Sequence, residues 1–162
     1  TPWPIINEKL MGGLGGGDFG LIFGSPGGGK SWTMIALGAH GVKLGLNVAH
    51  YTLELSEGYI GKRYDAHFIN QPVNTIHLHQ DKVSKYLENL KGSLTIKEYA
   101  PGQASITTIE GHIQKMTDLG YPPDMILIDY VDLLKSSSNS KDEKERLDNT
   151  YVSTKALART TR

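Results

Sequence analysis

The sequence predicts an α/β domain in which a mainly parallel β-sheet is flanked by helices. Short apolar runs alternate along the chain with stretches in which apolar residues recur every three or four positions, which is typical of alternating strands and helices. A glycine-rich loop, Gly24–Ser31, joins one such run to a helical pattern, and a later apolar run ends in a carboxylate, Asp129. The length of 162 residues fits one domain.

Composition limits the classes of protein to which the chain can belong. The 17 basic and 17 acidic residues give a formal net charge of zero, which gives no support to a dedicated nucleic-acid binder without excluding binding through loops or an oligomeric pore. The absence of cysteine excludes disulfides and fits a cytoplasmic protein, in the host cytoplasm if the source is viral. No apolar run is long enough for a membrane span, and there is no secretory signal.

The first predicted strand and helix surround the glycine-rich loop. The apolar run at 19–23 predicts a short, buried parallel strand. Apolar residues on one face predict a helix over 31–44, and Gly45 is expected to end it in a left-handed conformation.

The next predicted strand covers 47–55, and a helix follows to about Ile69. Ser56 is its expected N-cap. The later predicted elements are a short helix capped by Asp81, a strand at 94–99, an amphipathic helix from Ile106 to Gly120, a strong strand at 125–128 ended by Asp129, a mobile, solvated loop at 135–146, and a last helix from about Glu145 toward Arg162.

The loop matches the phosphate-binding pattern G-x-x-x-x-G-K-[ST] in full. Its glycines let several backbone N–H groups turn toward phosphate oxygens, and the helix after it directs its positive dipole end at the same anion. Lys30 can reach the terminal phosphates, and the Ser31 hydroxyl can bind magnesium. The alternative is a plain glycine-rich turn. Nucleotide contacts are expected from Gly24, Ser25, Pro26, Gly27, Gly28, Gly29, Lys30, Ser31 and Trp32.

Two carboxylates are expected beside this loop, because ligands of parallel sheets sit at the carboxyl ends of the strands. Asp129 would hold magnesium together with Ser31, although a core strand with a polar end residue is the alternative. Glu54 would orient and deprotonate the water that attacks the γ-phosphate, with an exposed turn glutamate as the alternative.

Other polar and aromatic residues are weaker candidates. His77 and His79 could form a metal pair, but no third ligand is evident. Asp132 could touch magnesium or simply terminate the strand, and Arg63 is expected to pair with a surface acid rather than a phosphate. Three tyrosines are expected in the core rather than on a base-stacking platform: Tyr51, Tyr59 and Tyr64.

Three stretches, 12–33, 50–57 and 122–134, resemble the RecA-type ATPase core of DnaB-like replicative helicases, especially those of bacteriophages, and share features with KaiC-like proteins. The resemblance implies a RecA-like P-loop NTPase that uses ATP and Mg²⁺, with Glu54 as the base, Lys30 as a further catalytic residue and Asp129 as the Walker B carboxylate. It also implies a hexameric ring with ATP between subunits, single-stranded DNA in the channel, and a primase or helicase loader as a further partner.

In that family a further strand with a polar sensor lies between the phosphate-loop strand and the Walker B strand, and DNA-binding loops and an arginine finger follow. None of these is found before Arg162, so residues 1–162 are expected to form the amino-terminal part of the core, incomplete at its C-terminus. The expected function is a helicase motor; the alternatives are a KaiC-like or recombinase-like ATPase that uses nucleotide as an assembly switch, and a nucleotide-binding module without turnover.

Overall fold

The computed structural model, which describes residues 1–136 and 142–160, contains a three-stranded parallel sheet. The strands are β1 (Asn47–Thr52), β2 (Ser93–Glu98) and β3 (Met125–Asp129), in the spatial order β2-β1-β3. In the register Thr52 lies opposite both Glu98 and Asp129, so the three strands end together.

The described part of the chain contains six α-helices: α1 (Pro4–Lys9), α2 (Lys30–Leu44), α3 (Glu57–Ile69), α4 (Gln80–Leu87), α5 (Ile106–Asp118) and α6 (Glu143–Thr160). Two short 3₁₀ helices cover Val73–Leu78 and Val131–Leu133. Gly45 ends α2 in the left-handed region with φ 98°, and the Ser56 side chain accepts a hydrogen bond from the Tyr59 N–H at the start of α3. Both predicted helix boundaries are therefore confirmed.

Side chains of β1 point alternately to the two faces of the sheet and contribute to a separate apolar core on each face. Val48 packs with α2 and α3, whereas Ala49, Tyr51 and Leu53 pack with α5 and α6. Strands with both faces covered are expected in a parallel sheet. The predicted fold class, a mainly parallel sheet flanked by helices, is thus confirmed.

The predicted strand at 19–23 is wrong. This segment is not part of the sheet, and Leu21, Ile22 and Phe23 are 45%, 38% and 81% exposed. The sheet ends at β3, and no described strand pairs with the outer edge of β3. An apolar run becomes a strand only where another strand shares its backbone hydrogen bonds, and no strand in residues 1–136 or 142–160 does so for this run.

Smaller differences concern element boundaries. The second predicted strand ends at Thr52 rather than Leu55, because the Thr52 hydroxyl bonds both the N–H and the C=O of Leu55 and turns the chain (3.1 and 2.8 Å). Asp81 does not cap α4, which already begins at Gln80. The last helix begins at Glu143, inside the predicted loop at 135–146, of which residues 137–141 lie outside the described part.

Candidate nucleotide-binding site

The glycine-rich loop has the backbone conformation that its glycines permit. Gly27 and Gly29 have φ angles of 74° and 85°, in the left-handed region that residues with a Cβ rarely adopt. The Gly28 N–H donates to the Ser25 carbonyl over 3.0 Å, which closes a tight turn. The loop thus curls directly before α2 begins at Lys30.

The Lys30 side chain folds back over this loop. Its ammonium donates to the carbonyl oxygens of Gly24 and Ser25 at 2.9 and 3.1 Å. The Lys30 ammonium therefore lies beside the N-terminus of α2, where anions are favoured. The first turn of α2 contains no acidic residue that would oppose such an anion.

Close packing of α2 on β3 sets the direction in which the loop faces. Positions along α2 match positions along β3 in reverse: a Cβ on Gly41 would meet Met125, at the start of β3, and one on Gly38 would meet Leu127. The helix therefore runs antiparallel to the strand. Its first turn, with Ser31, is directed toward the end of β3 at Asp129.

Sheet register brings Glu54 to the same edge. The Leu53 N–H donates to the Asp129 carbonyl over 2.8 Å, and Glu54 follows directly. Asp129 is 3% exposed, and its Oδ2 atom has no hydrogen-bond partner among the described residues. Glu54 is exposed. One carboxylate is thus held rigidly in the sheet, while the other extends from a turn beside it.

A buried histidine beneath the site was not predicted. His50 is fully buried, and its Nδ1 atom lies 2.8 Å from the Tyr64 hydroxyl. Burial lowers the pKa of His50 to about 4, against a smaller opposing effect of Asp129, so the imidazole is neutral at pH 7. Its Nε2 atom has no partner in the described structure. The available signal was a histidine at the centre of the predicted strand at 47–55, between Ala49 and Tyr51.

An arginine between two aromatic rings lies next to the loop. The Arg63 guanidinium carbon is 5.1 Å from the ring centre of Trp32 and 4.7 Å from that of Tyr59. The expected pairing of Arg63 with an acid is therefore wrong, because its charge lies against π-faces instead. The core assignment is confirmed for Tyr51 and Tyr64 and wrong for Tyr59, which is 43% exposed.

The remaining candidates do not join the site. Asp132 lies in the 3₁₀ helix after β3 and accepts a hydrogen bond of 2.5 Å from the Tyr151 hydroxyl. His77 and His79 lie at the end of the first 3₁₀ helix. No group of three His, Cys, Asp or Glu side chains in residues 1–136 and 142–160 could hold a metal ion. In the same residues no helix is long and apolar enough to cross a membrane.

These features define a class of protein: an α/β nucleotide-binding domain of the P-loop type. The loop and the first turn of α2 fit a polyphosphate, since they offer glycine backbone and one lysine. The unpartnered Asp129 Oδ2 fits a hydrated magnesium ion, which is bound by one or two carboxylates together with phosphate oxygens.

Comparison with known proteins identifies the family. Residues 6–162 match the DnaB-like helicase C terminal domain, and the chain belongs to that family. A curated relative, the DnaB-like replicative helicase of Enterobacteria phage T4, is 26% identical over 163 residues, which cover 95% of this chain and 34% of the relative. The chain thus spans about a third of that relative's length.

Solved structures agree on the fold. One is the structure of a DnaB-like replicative helicase and its interactions with primase. It superimposes with a TM-score of 0.68 at 13% identity, and the match covers 81% of this chain and 33% of the helicase chain. A second structure, of an ATPase domain, gives a TM-score of 0.67 at 14% identity and covers 82% of this chain and 49% of its own. Identities this low establish a shared fold.

Proposed function

We propose that the chain is the ATP-binding and ATP-hydrolysing motor domain of a replicative DNA helicase that acts on single-stranded DNA. One observation supports the proposal: Asp129 and the turn with Glu54 lie at the carboxyl edge of one parallel sheet, and α2, which follows the Lys30 loop, runs antiparallel to β3. That edge is where parallel α/β domains bind ligands.

Each residue has a specific role in this proposal. The loop from Gly24 to Gly29 directs N–H groups at the β- and γ-phosphates, and Lys30 exchanges its carbonyl partners for phosphate oxygens. Ser31 and Asp129 would hold Mg²⁺, which would neutralise charge that develops on the phosphates. Glu54 accepts the proton of the attacking water, for which its exposure at the turn leaves room.

The wider assembly is also part of the proposal. The chain would form a homo-oligomer, a hexameric ring with nucleotide between its subunits and single-stranded DNA in its channel. A primase or helicase loader would be a further partner, and the protein would act in the host cytoplasm. The support is membership of the DnaB-like family and the T4 relative. A ring also suits a site in which the exposed Glu54 and loop face outward from this chain.

The test separates binding from turnover in the full-length protein. Glu54→Gln is expected to keep ATP binding within about twofold while DNA-stimulated phosphate release falls by about 10²–10³-fold, since removal of a general base costs this order. The matched control is Glu110→Gln, at an exposed position on α5. Hydrolysis that survives Glu54→Gln would remove Glu54 from its assigned role.

A second assay separates the motor from an assembly switch. A forked duplex with a labelled strand should be unwound only when ATP is hydrolysed, because pulling on a strand consumes one ATP cycle after another. A protein that hydrolyses ATP and forms rings but leaves the fork intact in every orientation of its tails would instead be the KaiC-like or recombinase-like ATPase.

A further inference from the structure

We propose that a cavity on the α4 side of the domain binds the phosphates and a base of single-stranded nucleic acid. This lysine cavity has a volume of about 580 Å³ and is lined by Lys43, Lys82, Lys85, Tyr86, Asn89, Leu90 and Lys91. It goes beyond the proposed function, because it places a nucleic-acid contact outside the nucleotide site.

Three elements bring the lysines together. Lys43 lies in the last turn of α2, and Lys82 and Lys85 lie three residues apart on α4, so both extend from one helix face. The turn after α4 adds Lys91, and this turn is fixed to α2 by the Gly92 N–H, which donates to the Val42 carbonyl over 3.1 Å. The backbone positions of these lysines are therefore fixed by packed elements of the fold.

The charge of the lysine cavity is uncompensated. None of its four lysines forms an ion pair with a described carboxylate, and no acidic residue lines it. Asp65 lines the adjoining cavity, and burial raises the pKa of its carboxyl group. Asp81 and Glu88 belong to the same part of the chain but do not line the lysine cavity. In a chain of zero net charge, four lysines around one cavity, none of them in an ion pair with a described carboxylate, mark an anion-binding surface.

One aromatic ring in the lining, that of Tyr86, favours a nucleic-acid strand over a simple anion. Tyr86 stacks on Phe68 with ring centroids 5.5 Å apart, and the Lys43 ammonium lies 5.8 and 5.9 Å from the Phe68 and Tyr86 centroids. Lysines around an aromatic ring can bind backbone phosphates while a base stacks, which is the chemistry of single-strand recognition. An acidic peptide would use the charges but not the ring.

The lysine cavity is separate from the nucleotide site. Lys43 follows Lys30 by 13 residues in the same helix, which at 1.5 Å per residue places them about 20 Å apart. One ligand of nucleotide size cannot span both. The two sites can therefore be tested independently.

The test measures the salt dependence of binding of a fluorescent dT oligonucleotide to the full chain. The double variant Lys82→Gln/Lys85→Gln should reduce the magnitude of the negative slope of log association constant against log salt concentration by roughly 1.4, since each single-strand phosphate contact contributes roughly 0.7. It should also weaken binding about tenfold at 50 mM salt. Binding of a fluorescent ATP analogue, measured in the same samples, should not change. If the unmodified chain binds the oligonucleotide but not the ATP analogue, the result would argue against the proposed function and would leave this inference standing.

The control carries the same change of charge on the other face of the sheet. Lys115→Gln/Lys155→Gln removes two exposed lysines from α5 and α6 and should leave the slope unchanged. An equal loss in both double variants would overturn the inference, because the effect would then be one of net charge. Tighter binding of polyglutamate than of the oligonucleotide would overturn it in favour of an acidic protein partner, and equal binding of blunt duplex would remove the preference for a single strand.

Discussion

Gly38 lies where α2 passes closest to the sheet. A Cβ at this position would collide with the Tyr64 hydroxyl and approach the Leu127 Cδ1 atom to 2.9 Å. Tyr64 is buried and Leu127 is partly buried against the same core, so both have little room to move. We expect Gly38→Ala to lower the free energy of unfolding by about 1–3 kcal/mol, as overpacking usually does, measured by urea titration.

A matched glycine gives the opposite expectation. Gly111 is also within a helix, but a Cβ there would meet nothing within 4 Å. Gly111→Ala should therefore stabilise the protein by up to about 1 kcal/mol through helix propensity alone. Tyr64→Phe removes the colliding hydroxyl, so adding it to Gly38→Ala should recover part of the lost stability. If Gly38→Ala alone is as stable as the unmodified chain, α2 is not packed this closely against the sheet.

His50 makes stability depend on pH. Its folded pKa of about 4 lies below the ordinary value of 6.5. Between these values the unfolded chain takes up a proton and the folded chain does not, so stability is complete above pH 6.5 and falls as the pH falls toward 4. At pH 5 we expect His50 to account for a loss of about 2 kcal/mol relative to pH 7.5, measured by urea unfolding at each pH.

The variant His50→Leu isolates this contribution. Burial also lowers the pKa of His67 and His112, and both act in the same direction, so the unmodified chain alone cannot assign the effect. The pH dependence that disappears in His50→Leu belongs to His50. Identical slopes for the two proteins between pH 7.5 and 5 would show that the imidazole is accessible to protons in the folded state.

At the residue scale, sequence predicted what a linear motif encodes. Lys30, Ser31 and Asp129 could be proposed as site residues because their spacing and flanking patterns match a known motif, and their roles stay a prediction. His50 and Gly38 could not be placed in this way, because their importance depends on register and on which helix covers which strand position.

At the scale of elements, α5 begins with a reciprocal cap. The Ser105 hydroxyl accepts from the Thr108 N–H, and the Thr108 hydroxyl accepts from the Ser105 N–H, at 3.3 and 3.1 Å. These bonds satisfy two N–H groups that the helix itself leaves free. We expect Ser105→Ala to lower the free energy of unfolding by about 1 kcal/mol, measured by thermal or urea unfolding.

The comparison for this cap is a serine in a helix without such bonds. Ser84 is exposed on α4, and Ser84→Ala should be neutral or slightly stabilising because alanine favours helix. A similar loss in both variants would mean that the Ser105 bonds contribute nothing beyond the change of residue type.

Helices were predicted more accurately than strands, for a physical reason. A helix satisfies its backbone within one segment, so the periodicity and caps of α2, α3 and α5 were sufficient to locate them. A strand requires a partner that the local sequence does not specify. The run at 19–23 has the composition of a strand, but no described strand pairs with it.

At the scale of the whole molecule, two surfaces are uncovered: the outer edge of β3 and the apolar run at 19–23. Both faces of the sheet are packed by helices, but the outer edge of β3 pairs with no described strand. The run at 19–23 exposes apolar side chains, with Phe23 at 81%. An open strand edge and an exposed apolar segment are each prone to pair with another chain.

We therefore expect the 162-residue chain to self-associate, with an apparent mass that rises with concentration in analytical ultracentrifugation. The double variant Leu21→Ser/Phe23→Ser should weaken this association at least about tenfold, because burying two such side chains is worth more than about 1.4 kcal/mol. The control Leu78→Ser/Leu119→Ser changes two residues that are 70% and 59% exposed elsewhere and should have little effect. Equal weakening in both variants would indicate that association depends on general hydrophobicity. A selective effect would locate the contact at residues 19–23, the exposed segment that leads into the glycine-rich loop.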